Sequence, residues 1–458
     1  MKLFFGIVFT AVILGYALHL LLQAIKQKKI VPLAIFLGIL GMYTLSFYNE
    51  LAFYICWSIF LIPQILFVVY VFIFMIVSIT RKKTNTLSDK KIRDEELKFV
   101  SIVVAVHNEE NVVEDTIHNL LQLDYPKDHY DITFIDDFSK DNTLELLLKY
   151  KDQIQVIDRS QNASSTQLKG KPAAINENID RLKGELICIL DADSVIEKGF
   201  LQRIVPKFKN PNLGIVQARN IFYNKDKNIV TRLTALDIYS MQHTIYIPVS
   251  KLGFGMFEGR AGVFRKKIFK DIQGFDPALP GEDFDFAYRV GLSGYDVHYE
   301  DTVFSKEQVT ETISEWYKQR KRWLANHVLS CFKNLKGLYK TENLTLSRKI
   351  AALFFMLNLA YAFSFNFLGP LMLINEFRYE SVLPYVFIIS FSLTVVFFCC
   401  SYILRTGKLW LLPLIPIMII YYWTFTVIQT WVLINEKLIN IKLSYKKAYH
   451  RKPLSNEV

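Results

Sequence analysis

The chain has 458 residues, of which 52% are hydrophobic and 14% aromatic, and its formal net charge is +11 at pH 7. The apolar residues are concentrated in long, nearly uncharged stretches, which excludes an ordinary soluble enzyme and indicates a polytopic membrane protein. The positive charge comes with no basic recognition helix and no aromatic-basic sheet motif, so nucleic acid is not an expected partner.

Two groups of apolar stretches, one near each end of the chain, are long enough to be membrane spans. The predicted spans are 3–25, 31–48 and 51–79, followed by 351–374, 382–404 and 409–434. Lysine and arginine follow the first and third spans, so the positive-inside rule places the region between the groups in the cytoplasm. The last stretch contains Pro413 and Pro416 and precedes a basic tail, so a re-entrant or interfacial element is an alternative there, and five or six spans both remain open.

Between the two groups, short β-rich runs alternate with helical patterns. Strands are predicted at 100–106, 131–135, 154–157 and 185–190, and helices up to about residue 123, at 143–151 and at 172–182. This alternation predicts a parallel, doubly wound α/β sheet, which binds ligands beyond the carboxyl ends of its strands.

Polar residues collect at those predicted strand ends, namely Asn108, Glu109, Asp136, Asp137, Asp191 and Asp193. Asp191 and Asp193 lie one residue apart after a buried strand, a pattern that suits a hard divalent cation whose other ligands come from a bound phosphate. The pattern Asp-x-Asp is also common in turns. Asp136 and Asp137 can equally well be interpreted as caps of the helix that begins near Thr143.

Lys171 and a later carboxylate pair extend the candidate site. Lys171 opens a predicted helix and is placed to reach a pyrophosphate together with the helix N-terminus, although a solvated turn is the alternative. Glu282 and Asp283 begin an amphipathic helix, where a carboxylate pair is most often a cap but can also hold a general base near a hydroxyl.

A basic, tryptophan-rich segment follows, with Gln319, Arg322 and Trp323 in the spacing Gln-x-x-Arg-Trp. Apolar residues recur on one side of the next stretch, 324–340, which predicts a helix along the membrane surface. An ordinary interfacial helix with tryptophan anchors has the same pattern.

Six motifs occur in a fixed order: Val-Ser-Ile-Val-Val-Ala-Val-His-Asn-Glu-Glu-Asn, Asp-Asp-Phe-Ser, Lys-Gly-Lys-Pro-Ala-Ala-Ile-Asn, Asp-Ala-Asp, Gly-Glu-Asp and Gln-x-x-Arg-Trp. In this order the chain resembles, over roughly 99–340, the membrane-embedded inverting glycosyltransferases of family 2 that include cellulose, chitin, hyaluronan and poly-N-acetylglucosamine synthases. The resemblance implies an α/β, GT-A-like (nucleotide-diphospho-sugar transferase) domain with a mostly parallel sheet, inserted between two groups of transmembrane helices.

The domain organisation expected from this resemblance has six parts. They are N-terminal spans (1–80), a basic juxtamembrane linker (81–98), a cytoplasmic catalytic domain (99–305), interfacial amphipathic helices with Gln-x-x-Arg-Trp (306–348), C-terminal spans (349–434) and a basic tail (435–458). The expected location is the plasma membrane.

The resemblance also implies a role for each candidate residue. Glu109, Asp137, Lys171 and Asp191 would bind the donor nucleotide, Asp191 and Asp193 would hold Mg²⁺ or Mn²⁺, Asp283 would be the general base, and Glu282, Gln319, Arg322 and Trp323 would contact the acceptor and the diphosphate. The donor would be a UDP-sugar. A single displacement by a hydroxyl needs one base and no protein nucleophile, and it inverts the anomeric centre.

Two segments depart from the family pattern. Gly281 stands where many members have threonine, which predicts a looser turn before the base. The segment 257–265 carries Glu258 and Arg260 where small residues are usual, which predicts a different acceptor or a shorter product.

Three functions follow from the sequence. The leading hypothesis is processive synthesis and export of a polysaccharide, with a growing glycan as acceptor and the bilayer as surroundings. The second is a single transfer to a membrane lipid. The third, of another class, is a non-catalytic membrane transporter or scaffold.

Overall fold

A computed structural model describes residues 45, 49–81, 96–161, 168–341, 344–368 and 382–435. The predicted span 3–25, nearly all of 31–48, most of the basic linker and nearly all of the basic tail lie outside the described residues. The chain divides into two compact units, one formed by Met1–Ile76 with Leu353–Tyr445 and the other by Val77–Ala352 with Lys446–Val458.

The described α-helices are numbered here in chain order. They are α1 (Glu50–Thr80), α2 (Val113–Leu121), α3 (Thr143–Leu148), α4 (Lys171–Asn178), α5 (Phe200–Ile204), α6 (Ile229–Met241), α7 (Ile247–Ser250), α8 (Lys266–Asp271), α9 (Asp283–Leu292), α10 (Ile313–Lys340), α11 (Leu346–Phe363), α12 (Leu383–Thr406) and α13 (Ile415–Leu433).

Four helical segments of the described chain are long and apolar enough to cross a membrane. They are Glu50–Thr80, Leu346–Asn366, Tyr385–Thr406 and Leu409–Leu433. The last begins with a 3₁₀ turn, Leu409–Leu414, which contains Pro413 and leads directly into α13. Pro416 stands in the first turn of α13, where its missing N–H costs no helical hydrogen bond. The two prolines therefore do not interrupt this segment.

The second unit contains one eight-stranded sheet. Its strands are β1 (Val100–Val106), β2 (Tyr130–Asp136), β3 (Gln155–Asp158), β4 (Leu186–Leu190), β5 (Val195–Ile196), β6 (Leu213–Phe222), β7 (Gly262–Arg265) and β8 (Asp296–Glu307). Their spatial order is β3-β2-β1-β4-β7-β6-β8-β5.

The first half of the sheet is parallel, as the sequence predicts. β1 pairs with β2 on one side and with β4 on the other, and β2 pairs with β3, all in parallel. Both faces of these strands are covered: Ile102 and Val104 contribute to one hydrophobic core, and Val103 to the other. Burial on both faces explains why β1 and β4 are continuous apolar runs and do not alternate with polar residues.

The second half makes the sheet mixed. β7 lies antiparallel to both β4 and β6, β5 lies antiparallel to β8, and β6 and β8 are parallel. The sequence analysis located no strand after residue 190. The reversal at β7 therefore refines the predicted parallel, doubly wound sheet to a mixed one.

The helix that carries Gln-x-x-Arg-Trp is longer than predicted. α10 begins after Thr312, whose hydroxyl accepts a hydrogen bond from the Glu315 backbone N–H in a capping box, and the predicted 324–340 helix is its later part. Leu324 and Val328 are buried, whereas Phe332 on the same apolar side is exposed. α10 packs along α9, so the predicted membrane-facing stripe is partly used inside the second unit.

Candidate active site

The carboxyl ends of β1, β2 and β4 meet at one edge of the sheet, because Val106 pairs with Asp136 and Val104 with Leu190. Glu109, Asp137 and Asp191 follow these three ends. Glu109 and Asp137 are buried, with exposed fractions of 7% and 5%, and Asp191 is half-buried. Parallel strands thus bring together three residues that are widely separated in the sequence.

Asp137 is held by two donors that fix both of its carboxylate oxygens. Arg159 Nη1 pairs with Oδ1, and the Gly170 backbone N–H donates to Oδ2 at 2.5 Å. Gly170 has φ of +100°, a conformation that favours glycine and aims this N–H at the carboxylate. Asp137 therefore does not cap α3; the side chain that accepts from the Thr143 N–H is Asp141.

Arg159 is a site residue that the sequence analysis missed. It lies directly after β3, is 4% exposed, and donates to Glu177 from Nε at 3.1 Å and from Nη2 at 2.7 Å. Its Nη2 also donates to the Leu168 carbonyl at 2.7 Å. The sequence did contain a signal, because Arg159 follows a predicted strand end just as Asp137 does.

Phe138 lies beside this pair in an unusual backbone conformation. Its φ is +62°, which is uncommon for a bulky residue and is found where the surroundings fix it. Its ring lies 5.4 Å from the Arg159 guanidinium carbon and 4.7 Å from Lys169 Nζ. Two cations thus lie close to one aromatic ring at the carboxyl end of β2.

Lys171 joins the strand-end carboxylates to a second group of residues. Its Nζ lies 2.5 Å from Asp191 Oδ1 and 2.5 Å from the Gly259 carbonyl oxygen. Burial alone would lower the pKa of Lys171, but attraction to Asp191 and then to Glu282 outweighs burial and raises it. The side chain is therefore a fixed ammonium and not a solvated turn residue.

Asp191 and Asp193 provide a partial ligand set for a cation. Among the described residues, no three His, Cys, Asp or Glu side chains are grouped so that they hold a metal ion by themselves. Mg²⁺ is usually held in proteins by one or two carboxylates together with substrate phosphates. The two aspartates thus fit a divalent cation that is completed by a diphosphate.

Glu282 and Asp283 lie close enough to Lys171 that their charges raise its pKa. Burial raises the pKa of Glu282, Lys171 opposes this, and repulsion from Asp283 adds to it. Asp283 Oδ1 accepts hydrogen bonds from the Phe284 N–H at 2.8 Å and from Asn326 Nδ2 at 2.7 Å. A Cβ built on Gly259 would lie 3.3 Å from Asp283 Cβ, so the loop that accepts from Lys171 also borders Asp283.

The three residues of Gln-x-x-Arg-Trp lie on α10 and differ in their surroundings. Arg322 Nη1 is 3.4 Å from the Pro280 carbonyl, just before the carboxylate pair, and its charge helps to lower the pKa of Glu282 against the larger effect of burial. Gln319 is half-buried and its Oε1 accepts no hydrogen bond from the described residues. The ring of Trp323 lies 4.4 Å from the guanidinium carbon of Arg320.

Arg320 is a second residue that the sequence analysis missed. It forms an ion pair of 2.7 Å with Asp237 of α6, and both side chains are fully buried. A buried pair of this kind is costly to break from one side, so it fixes α10 against α6. The motif Gln-x-x-Arg-Trp specifies residues 319, 322 and 323 but leaves position 320 open. Nothing in the local sequence indicates that Arg320 pairs with Asp237.

Glu258 and Arg260, in the segment 257–265 that departs from the family pattern, belong to a largely buried ionic network. Arg260 Nε lies 2.8 Å from Glu307 of β8, and its Nη2 lies 3.8 Å from Glu258. Burial, with repulsion from Asp283, raises the pKa of Glu258 to about 7 although Arg260 opposes the shift. Burial and repulsion from Asp193 and Asp191 raise the pKa of Glu307 to about 8, again against Arg260.

This network borders the strand-end carboxylates, because Asp191 and Asp193 also act on the pKa of Arg260. Burial would lower that pKa, and the carboxylates, Glu307 first, raise it. Glu307 had no role in the sequence analysis, since β8 was not predicted. The charges of Glu258 and Arg260 are thus paired with each other and with Glu307, and they are not simply exposed to solvent.

The candidate residues therefore form one connected site within the second unit. The contacts run from Asp137 through Gly170 to Lys171, and from Lys171 through Asp191 and Gly259 to Asp283.

Solved structures share this fold. The mannosyltransferase PcManGT from Pyrobaculum calidifontis, in complex with GDP-Man and Mn²⁺, matches with a TM-score of 0.54 and 16% sequence identity, over 83% of this chain and 98% of that chain. The predicted α/β, GT-A-like fold class is thereby confirmed.

Two curated relatives match part of the chain. The beta-monoglucosyldiacylglycerol synthase of Trichormus variabilis is 32% identical over 238 residues, which are 50% of this chain and 48% of that protein. The poly-beta-1,6-N-acetyl-D-glucosamine synthase of Staphylococcus epidermidis is 29% identical over 272 residues, 58% of this chain and 64% of that protein. The match thus spans about half the length of the first relative and less than two thirds of the second.

The family model described as Glycosyltransferase like family 2 matches residues 98–326, which is half of the chain. The matched range contains all six motifs, from the run that begins at Val100 to Trp323. The chain belongs to the Glycosyltransferase like family 2.

Proposed function

We propose that this protein transfers a sugar from a UDP-sugar to an acceptor hydroxyl with inversion, and that it does so repeatedly to build a polysaccharide that is exported. The observation that carries the proposal is the position of Lys171. One ammonium contacts Asp191 on the donor side and the Gly259 carbonyl beside Asp283 on the other side. A leaving diphosphate and an attacking hydroxyl need such a pair of adjacent subsites.

The donor side would bind the nucleotide. Glu109 and Asp137 would hold the uridine, with Asp137 fixed by Arg159 and Gly170. Lys171 would turn from Asp191 to the diphosphate, and Asp191 and Asp193 would hold Mg²⁺ or Mn²⁺. The cation supplies positive charge to the leaving diphosphate. A structural neighbour with the same fold was solved with GDP-Man and Mn²⁺.

The acceptor side would supply the base. Asp283 would take the proton of the acceptor hydroxyl while that oxygen bonds to the anomeric carbon and the bond from this carbon to the diphosphate oxygen breaks. UDP leaves with the bonding electron pair. One displacement inverts the anomeric centre, and no covalent enzyme intermediate is needed.

The remaining predicted residues would position the two substrates. Gln319, Arg322 and Trp323 lie on α10, and Arg322 is already next to the carboxylate pair. We propose that they contact the acceptor and the diphosphate together with Glu282, which is protonated more easily than an exposed glutamate because it is buried.

The acceptor is the least constrained part of the proposal. The two relatives named above differ in what their names say they make, a polymer of N-acetylglucosamine in one and a glucosyl lipid in the other. We propose a growing glycan as acceptor, and a membrane lipid is the second candidate because the lipid synthase relative is 32% identical.

We also propose the domain organisation and location given by the sequence. The catalytic domain would be 99–305 and face the cytoplasm from the plasma membrane, with interfacial helices at 306–348 and spans on both sides. The four membrane-length helices of the described chain are consistent with this arrangement.

The test is a donor screen with the purified full-length protein in lipid nanodiscs. UDP-glucose, UDP-N-acetylglucosamine and UDP-glucuronate are each supplied with Mg²⁺ or Mn²⁺, and UDP release and product mass are measured. A ladder of products that grows by one sugar at a time supports polymer synthesis. A product that contains one sugar and appears only with an added diacylglycerol supports the lipid acceptor.

The outcomes that contradict the proposal are equally clear. UDP release with no glycosylated product would contradict transfer to a hydroxyl acceptor. No UDP release with any donor would favour the non-catalytic transporter or scaffold.

A further inference from the structure

Three polar residues form a ladder on the side of α10 that faces α9. Asn326, Ser330 and Asn334 are spaced four residues apart, so they lie on one side of the helix, and all three are buried. Asn326 Nδ2 donates to Asp283 Oδ1 at 2.7 Å, and Asn334 Nδ2 donates to Asp285 Oδ1 at 2.8 Å. Each asparagine of the ladder thus contacts one carboxylate of α9.

The orientation of the Asn326 amide follows from its partners. An ionised carboxylate only accepts hydrogen bonds, so the NH₂ group must face Asp283. On the other side, the Ser330 hydroxyl donates to Asn326 Oδ1 at 3.1 Å. Both ends of the amide are therefore used, and the side chain has one favourable orientation.

Gly281 provides the space for this amide. A Cβ built on Gly281 would lie 2.9 Å from Asn326 Nδ2 and 3.1 Å from its Cγ. A side chain at position 281 and the amide of Asn326 therefore compete for the same volume. The predicted looser turn is wrong in this respect, since Gly281 is buried and packed directly against α10.

The two donors to Asp283 act on one oxygen. Oδ1 accepts from both Phe284 N–H and Asn326, and among the described residues no donor contacts Oδ2. Oδ2 is the oxygen nearer to Gly259, where a Cβ would lie 3.5 Å from it. The carboxylate is thus turned so that one oxygen is tied to the helices and the other faces the loop that binds Lys171.

We infer that Asn326 is a positioning residue for the transfer reaction, and that Gly281 is present to admit it. Asn326 holds Asp283 so that Oδ2 is presented to the acceptor hydroxyl, and it does not touch the substrates itself. This inference rests on the proposed function, because it assigns the role of base to Asp283. The glycine before the carboxylate pair, which departs from the family pattern, and the buried amide three residues after Trp323 thus act together.

The first experiment replaces the amide with an apolar side chain that also branches at Cγ. Asn326→Leu removes both hydrogen bonds of the side chain, and we expect kcat to fall about 10–100-fold, the effect of losing one hydrogen bond to a charged group. The KM for the UDP-sugar should change by less than about threefold, because the donor subsite is untouched. Steady-state transfer by the full-length protein in nanodiscs measures both values.

The matched control is Asn334→Leu. It removes the same type of side chain from the same side of α10 and the same type of hydrogen bond to a carboxylate of α9, but it has no contact with Asp283. We expect a lower Tm with kcat within about threefold of wild type. A purely structural ladder would lower kcat equally in both variants.

The second experiment uses the contact between Gly281 and Asn326. Gly281→Ala should displace the amide and lower kcat about as much as Asn326→Ala does. In the double variant the two losses should not add, because the alanine at 281 then has no amide to displace. This cycle also covers the case in which Asn326→Leu does not fold.

The outcomes separate this inference from the proposed function. If the wild-type protein transfers sugar and Asn326→Leu has the same kcat, only the positioning role of Asn326 is overturned. If the losses in kcat add in the double variant, the role of Gly281 is overturned. If the wild-type protein transfers no sugar from any donor, the proposed function fails and the positioning role fails with it.

Discussion

The two sides of the site are built in different ways. On the donor side, two carboxylates that follow strands of the parallel half-sheet each have a cation beside them, Arg159 for Asp137 and Lys171 for Asp191. On the acceptor side, the carboxylates come from a helix start, a loop and β8, and they outnumber their cations. Glu258 and Glu307 share the single guanidinium of Arg260.

This difference has an electrostatic consequence. A cation beside a carboxylate favours its charged form, which suits the proposed binding of the uridine and of a metal-diphosphate group. Buried carboxylates that repel one another have raised pKa values, as Glu258, Glu282 and Glu307 do. The donor side is therefore organised for fixed charge, and the acceptor side for groups that exchange protons near neutral pH.

The largest effect is expected from the acceptor side. Asp283→Asn removes the proposed base and should lower kcat about 10²–10⁴-fold, the usual contribution of a positioned general base. UDP binding, measured by calorimetry, should stay close to that of wild type because the donor side is intact. The control is Asp271→Asn, which removes an exposed carboxylate at the end of α8. A fully active Asp283→Asn enzyme would show that another group takes the proton.

The next largest effect should come from the donor side. Arg159→Lys keeps the charge, but one ammonium cannot span Asp137, Glu177 and the Leu168 carbonyl, which the guanidinium contacts together. Losing one charged hydrogen bond costs about 1.5–3 kcal/mol, so the Kd for UDP should rise roughly 10–100-fold.

A paired variant shows whether this effect passes through Asp137. Glu177→Gln changes only the outer partner, whose side chain is 40% exposed, and it should weaken UDP binding by less than Arg159→Lys does. Unchanged UDP affinity in Arg159→Lys would mean that Asp137 does not depend on its cation, and the contrast between the two sides would lose its basis.

The contrast between the donor side and the acceptor side also explains how much of the protein could be predicted from its sequence. β1 was predicted at both of its ends, because a buried parallel strand is a continuous apolar run that polar residues terminate. The donor residues that directly follow such runs were found for the same reason. Arg159 also follows such a strand end, but its role depends on contacts with Asp137 and Glu177 that the strand pattern does not predict.

The acceptor side depends on contacts between distant parts of the chain. β8 contains polar and charged residues along its length, so neither the strand nor the partnership of Glu307 with Arg260 follows from the local pattern. The partners Asp237 and Arg320 are 83 residues apart. Such pairs are fixed by tertiary packing, and a single sequence carries no local signal for them.

The smallest expected effect concerns stability and tests a carboxylate of the acceptor side. Glu307 is 2% exposed, and its pKa is raised from 4.5 to about 8. Between these two pH values the folded protein keeps a proton that the unfolded chain has released. The unfolded state then binds fewer protons, so this group's contribution to stability is fully present below pH 4.5 and is lost as the pH rises to about 8.

Glu307→Gln cannot titrate, so its stability should fall less steeply with pH than that of wild type. One group contributes at most about 1.4 kcal/mol per pH unit to the slope of the free energy of unfolding. The measurement is Tm from pH 5 to pH 8 in nanodiscs with a chelator, because a cation at Asp191 and Asp193 would offset their repulsion of Glu307. Asp271→Asn, which changes an exposed carboxylate, should keep the wild-type slope. If Glu307→Gln also has the wild-type slope, the carboxylate of Glu307 is ionised over the whole pH range measured. Arg260 would then neutralise the acceptor side as fully as Arg159 and Lys171 neutralise the donor side.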